Sequence, residues 1–233
     1  MNPIKGKLIV IEGTDGSGKE TQSLRLRDRL FNEGKACGYQ SFPRYETPTG
    51  NIIKRYLGKA PYSQEFGPAN DVDPKVASTW FALDRWNASH EIKSTLNKGI
   101  PVICNRYVES NMAHQGGKIR EPKERVEIIK WLEELEYNSL KIPRADLVVF
   151  LYVPHVVAEL LRQERATSGG KVARLDGHEG DIEHMINAER CYLELADRFG
   201  WQRIDCAPDG TRTSLKSIEQ IGDEVYGIVR KIV

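Results

Sequence analysis

Seven residues near the start of the chain, Gly13-Thr-Asp-Gly-Ser-Gly-Lys19, limit what can be built around them. A short apolar run, Lys7 to Ile11, comes before them and a helical pattern, Thr21 to Phe31, follows. The glycines at 13, 16 and 18 permit the tight curvature that turns successive backbone N–H groups toward one point. Between a strand and a helix this spacing is a Walker A pattern, a cradle for nucleotide phosphates. The positive end of the following helix adds to the attraction, and Lys19 reaches the outer phosphates. One position departs from the pattern. Glu20 stands where a Mg²⁺-ligating Ser or Thr usually follows the lysine, and Thr21 comes next.

Beyond this loop, short β-rich runs alternate with longer helical patterns, which predicts an α/β fold with a parallel sheet. Strands are expected at Lys7–Ile11, Gln40–Phe42, Pro101–Cys104, Leu147–Val153 and Trp201–Ile204. Helices are expected at Thr21–Phe31, Val76–Leu96 and Arg125–Leu135, after Pro154, at Ile182–Phe199 and at Ser217–Ile232. The acidic residues of the Arg125–Leu135 helix read as a solvated face. Residues 166–178 break the periodicity with Ser-Gly-Gly-Lys and read as a loop. No repeat or linker divides the chain, so residues 1–233 are expected to form one domain.

Charge and apolar content exclude other classes. The 34 basic and 33 acidic residues nearly cancel, which gives no support for a nucleic-acid partner. The longest apolar run, Leu147 to Val153, is far shorter than the ~18 residues of a membrane span. The first apolar run after Met1 ends at Glu12, so no secretory leader is expected. The four cysteines are dispersed without a C-x-x-C pair, as in a reduced, cytoplasmic protein.

The nucleotide-binding loop alone does not separate a switch, a motor and a small-molecule kinase. A kinase acting on a phosphorylated acceptor needs cations facing the loop. Arg44 in Phe42-Pro-Arg-Tyr45 follows the second strand, and Arg106 in Asn105-Arg-Tyr107 follows the third. In a parallel sheet the C-terminal strand ends share one edge, so both arginines are expected to converge there.

Four ordered motifs then carry a resemblance. They are Glu12-Gly-Thr-Asp-Gly-Ser-Gly-Lys-Glu-Thr-Gln22, Phe42-Pro-Arg-Tyr-Glu-Thr-Pro-Thr-Gly50, Phe81-Ala-Leu-Asp-Arg85 and Asn105-Arg-Tyr-Val-Glu-Ser-Asn111. Together they resemble the thymidylate kinase family, enzymes that convert dTMP to dTDP with ATP. The resemblance implies a three-layer P-loop NTPase fold, with a five-stranded parallel sheet flanked by helices. It also implies a lid over about 166–178 and a homodimer.

For ATP, it implies Gly13, Asp15, Gly16, Ser17, Gly18, Lys19, Glu20 and Thr21. For dTMP, it implies Asp15, Phe42, Arg44, Phe81, Arg85, Arg106, Ser110, Asn111 and Gln115. Phe81 is expected to stack on thymine and Arg85 to donate to O4. Thymine N3 carries a hydrogen, so an amide oxygen of Asn111 or Gln115 is expected opposite it. The catalytic cations implied are Lys19, Arg106 and the lid arginines Arg174 and Arg165. Asp15 and Glu179 are the candidate Mg²⁺ partners.

Asn105 departs from the aspartate the family usually places before this arginine. With Glu20, it motivates one alternative, a nucleotide-binding protein with weakened catalysis; the other alternative is a kinase for another deoxynucleotide or a deoxynucleoside.

Overall fold

Five parallel strands form one sheet in the order β2-β3-β1-β4-β5. The computed structural model describes residues 5–59, 61–167 and 181–233, except the side chains of 165–167. The strands are β1 (Leu8–Gly13), β2 (Gly38–Ser41), β3 (Val102–Asn105), β4 (Leu147–Tyr152) and β5 (Gln202–Asp205). Around them lie α1 (Lys19–Asn32), α2 (Pro48–Tyr56), α3 (Pro74–Asn97), α4 (Val108–Gly117), α5 (Pro122–Glu133), α6 (His155–Thr167), α7 (Ile182–Phe199) and α8 (Ile218–Val229). α5 runs directly into a π-helical turn, Glu134–Ser139.

Side-chain alternation along β1 explains the three layers. Leu8 and Val10 join a core with α3, α4 and α7, including Ile92, Met112 and Tyr192. Ile9 and Ile11 point the other way, onto Leu26 and Leu30 of α1 and Val225 of α8. Both faces are covered, so β1 is buried along its whole length, as a central parallel strand requires. Leu8, Val10 and Ile11 pair with Val102, Cys104 and Asn105 of β3. Ile9 and Ile11 pair with Leu147 and Val149 of β4. This register brings the C-terminal ends of β1 and β3 side by side, where the site lies.

Two helices have no counterpart in the apolar periodicity. Thr47 caps α2 by accepting from Gly50 N at 3.1 Å, with Pro48 in the first turn. α4 contains Val, Asn, His and two glycines, all modest or poor helix formers. Nearly all of it is buried, so tertiary packing holds it. The acidic residues of the expected Arg125–Leu135 helix, Glu127, Glu133 and Glu134, are exposed or half-buried. Glu136, just beyond that range on the π-helical turn, is fully buried. Among the described residues no helix is long and apolar enough to cross a membrane.

Candidate active site

The phosphate loop takes its shape from two left-handed glycines, Gly16 at φ 81° and Gly18 at φ 80°. Gly18 also caps α1, so the first N–H groups of that helix open toward the loop. A side chain at Gly13 would meet Ser17 Oγ at 2.3 Å and the Leu151 carbonyl at 2.7 Å, so no larger residue fits. Thr14 Oγ1 donates to Val153 O at 2.7 Å and ties the loop to the end of β4. Thr21 is exposed on the first turn of α1.

Three charged groups meet at the loop. Lys19 Nζ lies 3.2 Å from both Thr14 O and Asp15 Oδ1. From the other side the Arg106 guanidinium also donates to Asp15 Oδ1. Burial alone would raise the Asp15 pKa, but Arg106 and Lys19 outweigh it and hold the carboxyl well below the usual range. Burial and the nearby Arg106 cation lower the Lys19 pKa. Arg106 itself adopts φ 63°, and its N–H donates to Ile11 O at 3.1 Å. The strand end thus turns sharply and aims the guanidinium back across the sheet.

Arg106 Nη1 lies 3.3 Å from His114 Nε2, and His114 Nδ1 lies 3.2 Å from His184 Nε2. Arginine is only a donor, so His114 Nε2 accepts and its Nδ1 carries the proton donated to His184. Burial holds the His114 pKa well below its usual value, consistent with this neutral tautomer.

Beside these cations opens a cavity of about 360 Å³ lined by Asp15, Glu20, Phe42, Phe81, Arg85, Asn105, Arg106, Ser110, Asn111, His114 and Gln115. Phe42 packs against Tyr107 with ring centroids 5.8 Å apart. Phe81 presents a partly exposed ring from α3, edge-on to Tyr56 at 6.2 Å. Arg85 is 2% exposed and Glu136 0%. They form a fork: Nε and Nη2 each donate to the carboxylate at 2.5 Å, and Nη1 donates to Tyr107 O at 3.2 Å. Asn111 Oδ1 and both amide atoms of Gln115 are buried without a hydrogen-bond partner.

Two expected residues are placed differently. Arg44 is not among the residues lining the cavity. Asp84 is buried and draws donors to itself: Arg44 N at 2.8 Å, Arg44 Nε at 3.3 Å and Thr49 Oγ1 at 3.0 Å. Arg44 also donates to Asn87, which holds it against α3 instead of beside Arg106. Ser110 lines the cavity, but its hydroxyl lies 2.9 and 2.8 Å from the two Glu12 carboxylate oxygens. Arg174, Glu179 and most of the expected lid lie outside the described residues, as does the Arg165 side chain.

A sequence profile of the thymidylate kinase family matches residues 11–217. The chain belongs to the thymidylate kinase family. A thymidylate kinase of Plasmodium falciparum is 30% identical over 228 residues, covering 98% of this chain and 91% of that protein. The human thymidylate kinase is 26% identical over 223 residues, covering 95% and 88%. A solved thymidylate kinase structure from Candida albicans superposes with a TM-score of 0.71 at 24% identity, covering 97% and 92%, and shares the fold.

Within this family member the polar groups under the cavity include two carboxylates without an assigned role in the motifs. Glu12 interrupts an otherwise apolar strand and accepts from Tyr107 N at 2.8 Å, Ser110 N at 3.1 Å and Tyr192 Oη at 3.1 Å. A charged residue in a strand buried on both faces was the signal available for it. Glu136 extends the buried stripe of Arg125, Ile128, Ile129 and Leu132 by one more turn.

A third carboxyl, Glu109 of α4, has its pKa pushed up to about 8 by burial and by the Glu12 and Glu136 charges. Its folded pKa exceeds the unfolded value of 4.5, so the stability it contributes at low pH is lost as pH rises through 8. Relative to wild type, Glu109→Gln is therefore expected to gain unfolding free energy between pH 5 and pH 8, read from urea midpoints. An unchanged difference would show that Glu109 does not titrate in this way.

Proposed function

We propose that this site transfers the γ-phosphoryl group of ATP, carried with Mg²⁺, to the 5′-phosphate of dTMP. One arrangement carries the reading. The phosphate loop with Lys19 and Arg106 borders a cavity whose walls hold Phe81, Arg85, Asn111 and Gln115. Donor and acceptor phosphates then lie close together, with the base held away from them.

An acceptor phosphate oxygen attacks the γ-phosphorus in line, the bond to the β-phosphate oxygen breaks, and ADP leaves. Lys19 neutralises the outer phosphates of ATP, and Arg106 faces the acceptor phosphate. Asp15 keeps these two cations apart and in place. Arg44 would join the acceptor phosphate only by releasing Asp84. Arg174, with Arg165 second, supplies the lid cation, and closure excludes water.

The oxygen donors suit a hard divalent cation. Asn105 Oδ1 and Ser17 Oγ are buried without hydrogen-bond partners, and Asp15 and Glu20 border the cavity. Asp15, joined by Glu179, would hold Mg²⁺ together with the nucleotide phosphates. When bound, the ion supplies charge neutralisation at the β- and γ-oxygens.

A single sheet supports one domain over residues 1–233, and free, mostly buried thiols support a cytoplasmic setting. Val76, Leu83 and Trp86 expose an apolar stripe on α3, which supports a homodimer through that helix. Sedimentation velocity is expected to give a dimer that Leu83→Glu converts to monomer. A monomeric wild type would refute the pairing.

The function is tested by coupled ADP release with ATP and Mg²⁺, offering dTMP, dUMP, dCMP, dGMP and thymidine separately. Turnover with dTMP, weaker with dUMP and absent with thymidine, is the expected result. No turnover with any acceptor, while ATP still binds, would make the chain a binding protein.

A further inference from the structure

Glu136 has three donors on its carboxylate and none of them is water-facing. Arg85 Nε and Nη2 lie at 2.5 Å, and Asn111 Nδ2 lies at 3.0 Å. Asn111 Nδ2 also donates to Ser78 O at 3.2 Å. These contacts decide a question that asparagine leaves open on its own. An amide side chain rotated by half a turn exchanges its oxygen for its NH₂ group and offers a cavity the opposite hydrogen-bonding character. A carboxylate only accepts, so Nδ2 must face Glu136, and Oδ1 must turn away from it. Oδ1 is the atom left buried without a partner, on a residue that lines the cavity.

The same carboxylate fixes the second reader. It takes the Nε proton and one Nη2 proton of Arg85, while Tyr107 O takes one from Nη1. The guanidinium cannot rotate, and what it still offers the cavity is donors only. Together the wall presents a donor from Arg85 and an acceptor from Asn111. Thymine carries the complementary pair, an acceptor at O4 and a donor at N3. Cytosine carries the reverse, a donor at N4 and an acceptor at N3.

We propose that Glu136 is a positioning residue that sets the preference for thymine over cytosine by fixing the Asn111 amide and the Arg85 guanidinium together. This rests on the proposed binding of dTMP in the cavity, with Asn111 taken as the amide opposite N3 of the base. Glu136 acts through its two neighbours and does not line the cavity itself.

Glu136→Gln tests it, because volume is kept and only the hydrogen-bonding character changes. Oε1 accepts from both Arg85 Nη2 and Asn111 Nδ2, and Oε2 accepts from Arg85 Nε, so either orientation of the Gln amide sets its NH₂ group against a donor and unfixes at least one of the two readers. Dissociation constants and kcat/KM are measured for dTMP and dCMP in the wild type, Glu136→Gln, Asn111→Ala and the double variant. The dTMP-to-dCMP ratio is expected to fall about tenfold or more in Glu136→Gln, the size of one mismatched buried hydrogen bond. In the Asn111→Ala background the part of that fall which acts through the amide is expected to vanish. Should Glu136→Gln fail to fold, Glu136→Asp keeps the charge but draws the shared carboxylate back from both Arg85 and Asn111, and the ratio is again expected to fall.

A ratio unchanged by a folded Glu136→Gln or Glu136→Asp, while Asn111→Ala shifts it, would overturn the proposal and leave the Asn111 reading standing. A ratio unchanged by Asn111→Ala would overturn both.

Discussion

Lys19→Met is expected to lower kcat by about 10²- to 10³-fold, the usual cost of removing one preorganised charge from a transition state. The side chain is buried, and among the described residues its Nζ donates to Thr14 O and Asp15 Oδ1. Its loss leaves Asp15 paired with Arg106, so no carboxylate is stranded and the fold is expected to persist. Single-turnover kinetics with saturating ATP and dTMP separate the chemical step from binding. A variant with unchanged kcat and raised KM would assign Lys19 to binding alone.

Arg85→Met is expected to destabilise the fold by about 3–5 kcal/mol, because it leaves the fully buried Glu136 carboxylate without its cation. Urea unfolding at pH 7 measures this. Replacing both partners, Arg85→Met with Glu136→Leu, is expected to recover much of the stability without restoring recognition of the base. Full stability in the single variant would mean that the pair contributes little to folding.

How far the fold could be read from the sequence depended on the kind of signal each segment carries. β1, the glycine loop and α1 were legible because backbone curvature needs glycine at particular places, whatever lies around them. Arg106 was legible as a strand-end cation, although its left-handed backbone was not. Arg44 shows the limit. Asp84 stands next to Arg85 in the motif, yet only the folded chain brings it against Arg44 N and Nε. α4 escaped notice because its residues are poor helix formers that become helical only when packed on several sides. Glu136 escaped because the π-helical turn carries a charged residue into line with an apolar stripe, and its partner is 51 positions away.

The burial of α4 has a consequence for how the site meets its ligands. Ser110, Asn111 and Gln115 sit on a helix enclosed by neighbouring elements along nearly its whole length. Such an element opens to solvent only when most of the domain opens with it, so its amides should be among the slowest to exchange with deuterated water. The groups proposed to read a base are thus ordered before any nucleotide arrives. Little conformational entropy remains to be lost when a nucleotide binds there, and the adjustments that accompany binding fall to other parts of the chain.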